Sequence, residues 1–214
     1  YYPNLAGEQN KLDKRNVPED AFYHIFEMRI DGGGLRQLTH GKYDDFDGRY
    51  LPDGRIIFAS TRCFHGVPCV GGGDKVANLF IMDADGQNVR QLCFDQDHNW
   101  CPTVLNNGRV LYLRWEYSDI PHYVARRLFH MNPDGTGQTV YYGNMHPLTV
   151  MIDAKPIPGS DKIVAGFSPG HGGPEHAGQI TIVDPNAGPD SQAFARPVSH
   201  GNEFRDPWAF SENC

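Results

Sequence analysis

The sequence predicts an all-β protein: a partial β-propeller with three complete four-stranded blades and two partial ones. Three observations carry that expectation. A blade-length phrase recurs down the chain, and each copy holds four short β-favouring runs. In addition, 24 glycines and 16 prolines, about a fifth of the 214 residues, leave little room for long helices.

The repeat is legible residue by residue. Phe26-Glu27-Met28 with Asp31-Gly32 returns 54 positions later as Phe80-Ile81-Met82 with Asp85-Gly86. A further 49 positions on it returns as Phe129-His130-Met131 with Asp134-Gly135. Arg36-Gln37-Leu38 recurs as Arg90-Gln91-Leu92, and Asp53-Gly54-Arg55-Ile56-Ile57-Phe58 as Asn107-Gly108-Arg109-Val110-Leu111-Tyr112, again at 54. Asp161-Lys162-Ile163-Val164-Ala165 is a looser third copy, and Ile180–Asp184 repeats Leu79–Asp83.

Within one copy, β-runs are expected at Phe46–Leu51, Arg55–Thr61, Asn78–Asp83 and Val89–Phe94. Tight turns at Pro52-Asp53-Gly54 and Asp83-Ala84-Asp85-Gly86 separate the first from the second and the third from the fourth, with glycine supplying positive φ. A solenoid would need one or two strands per repeat, which does not fit four.

With strands lettered A to D from the axis outward, the chain divides into 1–43 (a long loop and strands C and D of a partial blade), blades at 44–94, 95–142 and 143–198, and 199–214 as the first strand of another blade. All of these belong to one incomplete domain. The sequence opens without an initiator Met or an apolar leader and stops after a strand-like run, so a longer parent chain is expected.

Composition narrows the partners. With 19 Lys+Arg against 26 Asp+Glu, the formal charge is −7, which argues against a nucleic-acid surface. No run approaches the roughly 18 apolar residues of a membrane span. Five cysteines are too few for a disulfide scaffold. They read either as buried thiols or, for Cys63 and Cys69 on either side of a short Gly- and Pro-containing loop, as a bridge that implies an oxidising compartment. Cys-x-x-Cys-His, the covalent haem attachment motif, is absent from the sequence.

Two phrases carry a family resemblance. Tyr50–Phe58, with Asn78–Gly86 and Arg90-Gln91-Leu92, resembles the TolB-type, WD40-like propeller repeat. Arg62-Cys63-Phe64-His65-Gly66-Val67-Pro68-Cys69 and Phe94–Pro102 resemble the middle domain of the hydrazine synthase alpha subunit and its uncharacterised planctomycete-type homologues. The resemblance runs from about residue 20 to the end. It implies a propeller module in a periplasmic or extracellular protein, with the other domains or subunits of its parent as partners. Family haems sit in flanking domains and need Cys-x-x-Cys-His, so no cofactor is expected in this segment.

Candidate chemistry lies in the loops. Antiparallel order puts the A–B and C–D turns on one face and the longer B–C and D–A connections on the other. Those longer connections carry His40, His98, His146 and His200 (D–A) and His65, His122, His171 and His176 (B–C). Asp95, Asp97, His98 and Trp100, with Asp44, Asp45 and Asp47 one blade earlier, form the candidate contact set for a small molecule or protein. The same residues also read as loop caps and Asx-turns. His171, Glu175 and His176 are a candidate zinc set, provided that a further ligand converges from another loop. Arg114-Trp115-Glu116-Tyr117 reads as a glycan- or peptide-binding surface or as a strand that packs Trp115. No catalytic residue is assigned. The leading expectation is a non-catalytic scaffold and binding module; the alternatives are the middle domain of a hydrazine-synthase-like haem oxidoreductase subunit and a propeller accessory to a hydrolase.

Overall fold

The computed structural model describes residues 17–68, 74–116, 126–144, 146, 149–170 and 176–214. It is all-β. Among the described residues, helix is confined to three-residue 3-10 turns such as Thr61–Cys63, and no helix is long and apolar enough to cross a membrane.

β1 (Phe26–Glu27) and β2 (Arg36–Gln37) form a two-stranded sheet. β3 (Asp45–Tyr50), β4 (Ile56–Ser60), β5 (Asn78–Met82) and β6 (Arg90–Gln91) follow as an antiparallel sheet in chain order. β7 (His98–Val104), β8 (Val110–Trp115), β9 (Arg126–Met131) and β10 (Thr139–Tyr142) repeat that order, and so do β11 (Val150–Pro156), β12 (Ile163–Ser168), β13 (Gln179–Val183) and β14 (Ala195–Pro197). One parallel bridge, Val150 to Arg126, joins the last two units into a continuous sheet.

The cores lie between units, which explains why the central strands are apolar without interruption. All five residues of β4 and all five of β5 are buried. Strand alternation sends Ile57 and Ala59 toward Val110, Tyr112 and Phe129 of the next unit, whereas Ile56 and Phe58 pack with Leu38 of the preceding one. One unit later Val110 and Tyr112 face backward, while Leu111 and Leu113 face Met151 and Ile163.

Tight approach of the units fixes the Asp-Gly turns. Gly86 (φ +88°) and Gly135 (φ +91°) are pressed against the carbonyls of Leu38 and Leu92 in the preceding unit; a Cβ has no room at Gly86 and is tight at Gly135. Arg36 reaches the Ala84 carbonyl at 2.9 Å, and Arg90 repeats the reach to the Asp134 carbonyl at 3.2 Å.

The expected runs match in order and lie within a few residues of the observed strands, the outermost of which are shorter: Val89–Phe94 contracts to Arg90–Gln91. The C-terminal segment departs from expectation. Residues 206–211 form no ladder, and Phe204 makes only an isolated bridge to Gly178.

Candidate functional site

The innermost strands β3, β7 and β11 lie against one another, and each is bent at the same place. Pairing with the next strand slips between Phe46 and Arg49, between Trp100 and Thr103, and between Ile152 and Lys155. The residue at each slip, Asp47 (φ +56°), Cys101 (φ +51°) or Asp153 (φ +53°), is left-handed, a conformation that favours Asp over most residues with a Cβ. Asp206 (φ +46°) continues the series; the spacings are 54, 52 and 53 residues.

These bulges touch. The Cys101 N–H donates to Asp47 Oδ2 at 3.2 Å, and the Cys101 thiol donates to Asp153 Oδ1 at 3.6 Å. Burial, then the carboxylates of Asp47 and Asp153, hold the Cys101 thiol well above its usual range; burial, then Asp206, raises Asp153. The space bounded by Asp47, Cys101, Asp153 and Lys155 measures about 20 Å³, too small for an organic ligand. Of this series only Asp47 belongs to the acidic set read from the sequence; Cys101, Asp153 and Asp206 lie outside it. The signal was available as a recurring position about five residues before each A–B turn.

The acidic set at the strand entrances does not converge. Asp44 Oδ1 accepts the Tyr23 N–H at 3.0 Å. Asp45 is buried and pairs with Arg62 at 2.6 Å, whose guanidinium lies over the rings of Tyr43, Phe58 and Phe80. Asp47 turns to the bulge series. Three neighbouring carboxylates thus serve three different partners: Asp44 precedes β3, Asp45 is its first residue, and the left-handed bulge at Asp47 breaks the alternation that would otherwise return it to the face of Asp45.

One unit later, Asp95 binds Arg114 (3.0 Å) and Asn99 (2.8 Å), and the Asp97 carbonyl accepts from the Asn78 side chain at 2.9 Å. His98, expected in a D–A connection, is the first residue of β7 and is buried. Its Nδ1 accepts the Ala77 N–H at 3.1 Å, and its ring stacks on Trp115 with centroids 5.4 Å apart. Burial, then the charge of Arg126, lowers its pKa to about 4, so the ring is neutral at pH 7. The ring is thus stacked, neutral and hydrogen-bonded at the start of the strand. The Trp100 ring lies tilted against His98, with centroids 4.6 Å apart. Trp115 is 8% exposed beneath the Arg126 guanidinium, 3.7 Å from its ring centre, which selects the packing reading of that strand.

One D–A and one B–C connection meet on the loop face: Gln96 donates to the Gly66 carbonyl at 2.9 Å. Two of the described histidines on it form separate local pairs, His146 with the Tyr142 hydroxyl (2.6 Å) and His40 with Glu19 (3.6 Å). Among the described residues, no three His, Cys, Asp or Glu are grouped to hold a metal ion. His122, His171 and Glu175 lie outside the described residues, as does Cys69, while His176 is exposed. Cys63 carries a free thiol that donates to the Val76 carbonyl at 3.2 Å.

Successive antiparallel four-stranded units, cores between units and innermost strands packed together define the β-propeller class. No protein-family model and no curated protein sequence matches the chain. Among solved structures, hydrazine synthase of Kuenenia stuttgartiensis is similar with a TM-score of 0.74 at 20% identity, over 87% of this chain and 31% of that one. TolB from Acinetobacter baumannii follows at 0.52 and 17%, over 86% and 39%, and the tricorn protease at 0.54 and 12%, over 77% and 20%. The fold is thus a TolB-like propeller that resembles hydrazine synthase, and the chain spans less than a third of the hydrazine synthase chain it matches.

Proposed function

We propose that the chain is a non-catalytic propeller segment, three complete blades flanked by two partial ones, that serves as scaffold and binding surface within a larger exported protein. One observation carries the reading: candidate acids and bases recur at repeat positions as inter-unit connectors. Asp44 and His98, 54 residues apart, cap Tyr23 and Ala77 of the preceding unit. Asp45 and Asn99 repeat the accompanying backbone bond, donating to the Tyr23 and Ala77 carbonyls at 2.8 Å each. Side chains at these positions hold blades in register, so that loops on a rigid disc can meet a partner. Partners are the other domains or subunits of the parent, and no cofactor is assigned to this segment. A panel of ester, peptide and glycoside substrates tests the reading; turnover that disappears when a described residue is substituted overturns it.

The likeness to hydrazine synthase over 87% of this chain favours a second reading, the propeller of a hydrazine-synthase-like haem subunit. Cys-x-x-Cys-His motifs elsewhere in the parent sequence, with a Soret band in the purified parent, would select it; a parent lacking both excludes it.

A further inference from the structure

Arg109 makes a contact that the blade repeat does not require. Its Nε donates to His130 Nδ1 at 3.1 Å, one terminal nitrogen to the Asn132 side-chain oxygen at 2.6 Å, and the other to the Gly137 carbonyl at 2.8 Å. A single guanidinium at the β7–β8 turn thus fastens both ends of the β9–β10 turn, residues 132–137. In the preceding unit the equivalent Arg55 turns its Nε to Asp53 at 2.8 Å, and the residue equivalent to His130 is Ile81. The following unit carries Ile182 there. Isoleucine satisfies the fold at this position and accepts no hydrogen bond, so the imidazole is an addition to the repeat.

The contact fixes a protonation state. Arginine only donates, so its Nε–H requires a bare Nδ1 and puts the proton of the neutral ring on Nε2. Burial, then the charge of Arg109, hold the ring below the usual 6.5. The other elements around it are neutral toward it. Leu111 of β8 and Thr139 of β10 stand opposite His130, and the Tyr141 ring meets it edge-on with centroids 5.3 Å apart. Burial, then Asp161 and Asp184 of the following unit, push the Tyr141 phenol up, so it stays protonated. Within the turn, the Asp134 carboxylate accepts from the Thr136 hydroxyl at 2.7 Å.

The fastened turn is also where the preceding unit rests. Arg90 donates to the Asp134 carbonyl at 3.2 Å, and Gln138 at the end of the turn donates to the Leu92 carbonyl at 3.0 Å.

We propose that Arg109 and His130 form an acid-released clip: a proton taken up at His130 Nδ1 displaces the Arg109 Nε–H, frees residues 132–137 and loosens the seat of the preceding unit. One proton moves from solvent to Nδ1. Arg109 keeps its own protons but loses its acceptor, and two cations then stand where a hydrogen bond was. Because the folded ring titrates below the unfolded one, the clip is closed above pH 6.5 and opens as pH falls through the folded value. The device is independent of whether the chain is catalytic, so turnover in the substrate panel would leave it standing.

The test follows the whole chain, labelled with nitrogen-15, by NMR from pH 7.5 to pH 4.5. His130 should carry its proton on Nε2 at pH 7.5 and take up a second one below pH 6.5. The amides of Gly135 and Gly137 should shift along the same curve and, corrected for intrinsic rates, exchange about tenfold faster once the ring is charged. In His130→Gln, whose amide oxygen accepts from Arg109 at every pH, both responses should vanish. In Arg109→Gln the ring should titrate closer to 6.5. Four results overturn the proposal: a proton on Nδ1 at pH 7.5; a ring still neutral at pH 4.5; a charged ring with Gly135 and Gly137 unchanged; or the same turn response in His130→Gln with an unchanged far-ultraviolet spectrum.

Discussion

His98 Nδ1 accepts the backbone N–H of Ala77 at 3.1 Å, tying the start of one unit's innermost strand to the third strand of the unit before it. Asp44 makes the same bond to Tyr23 at 3.0 Å, so an imidazole and a carboxylate solve one structural problem at one repeat position.

The imidazole adds a pH dependence. An unfolded His98 protonates near 6.5, whereas the folded one resists until about pH 4. Between those values the unfolded state binds more protons, so stability is fully present above pH 6.5 and falls as pH drops toward 4, by about 3 kcal/mol at most. Urea unfolding at pH 7 and pH 4.5 should show His98→Gln losing less stability over this interval than the parent. Equal slopes for the two would contradict the assignment.

Glycine substitutions should separate backbone strain from inter-unit contact. Gly54 (φ +87°) has open space around a would-be Cβ, so Gly54→Ala is expected to cost only conformational strain, about 1–2 kcal/mol. Gly86→Ala adds a clash with the Leu38 backbone carbonyl and should cost about 3 kcal/mol or more. Gly135, with the Leu92 carbonyl 3.1 Å away, should fall between them. Thermal unfolding of the three variants gives the order directly.

Arg62 neutralises Asp45, whose side chain is fully buried. Removing the cation alone leaves a buried unpaired carboxylate, so Arg62→Met should destabilise by about 3 kcal/mol. Asp45→Asn combined with Arg62→Met should recover a large part of that loss. A double variant no more stable than Arg62→Met would show that the guanidinium acts through its packing on Phe58 and Phe80 and not through its charge.

Thiol reactivity should follow burial. Cys214 is exposed, whereas Cys93 is buried and its thiol is pushed up to about 12, chiefly by burial. With a disulfide reagent at pH 8, Cys214 should react first, and Cys93 and Cys101 only as the chain unfolds. Mapping the labelled peptides by mass spectrometry checks this order; rapid labelling of Cys93 in the folded chain would contradict it.

The sequence by itself determined the units, because strand count and turn position are local properties. Asp-Gly turns, β-branched runs and the 54- and 49-residue offsets are written in neighbouring residues, and the strands appear in the expected order. It also placed the long connections on one face, since antiparallel order fixes parity. Only the tertiary structure decided what the polar residues do. Asp44, Asp45 and Asp47 look alike in sequence yet bind a backbone amide, a buried guanidinium and the neighbouring bulge, because partners come from residues 17 to 54 positions away. His98 reads as a loop residue in sequence, but its stacking partner Trp115 lies on the adjacent strand and its charge is governed by burial and then by Arg126. Local pattern dictates backbone conformation; burial and charge environment arise only when units from distant parts of the chain close on one another.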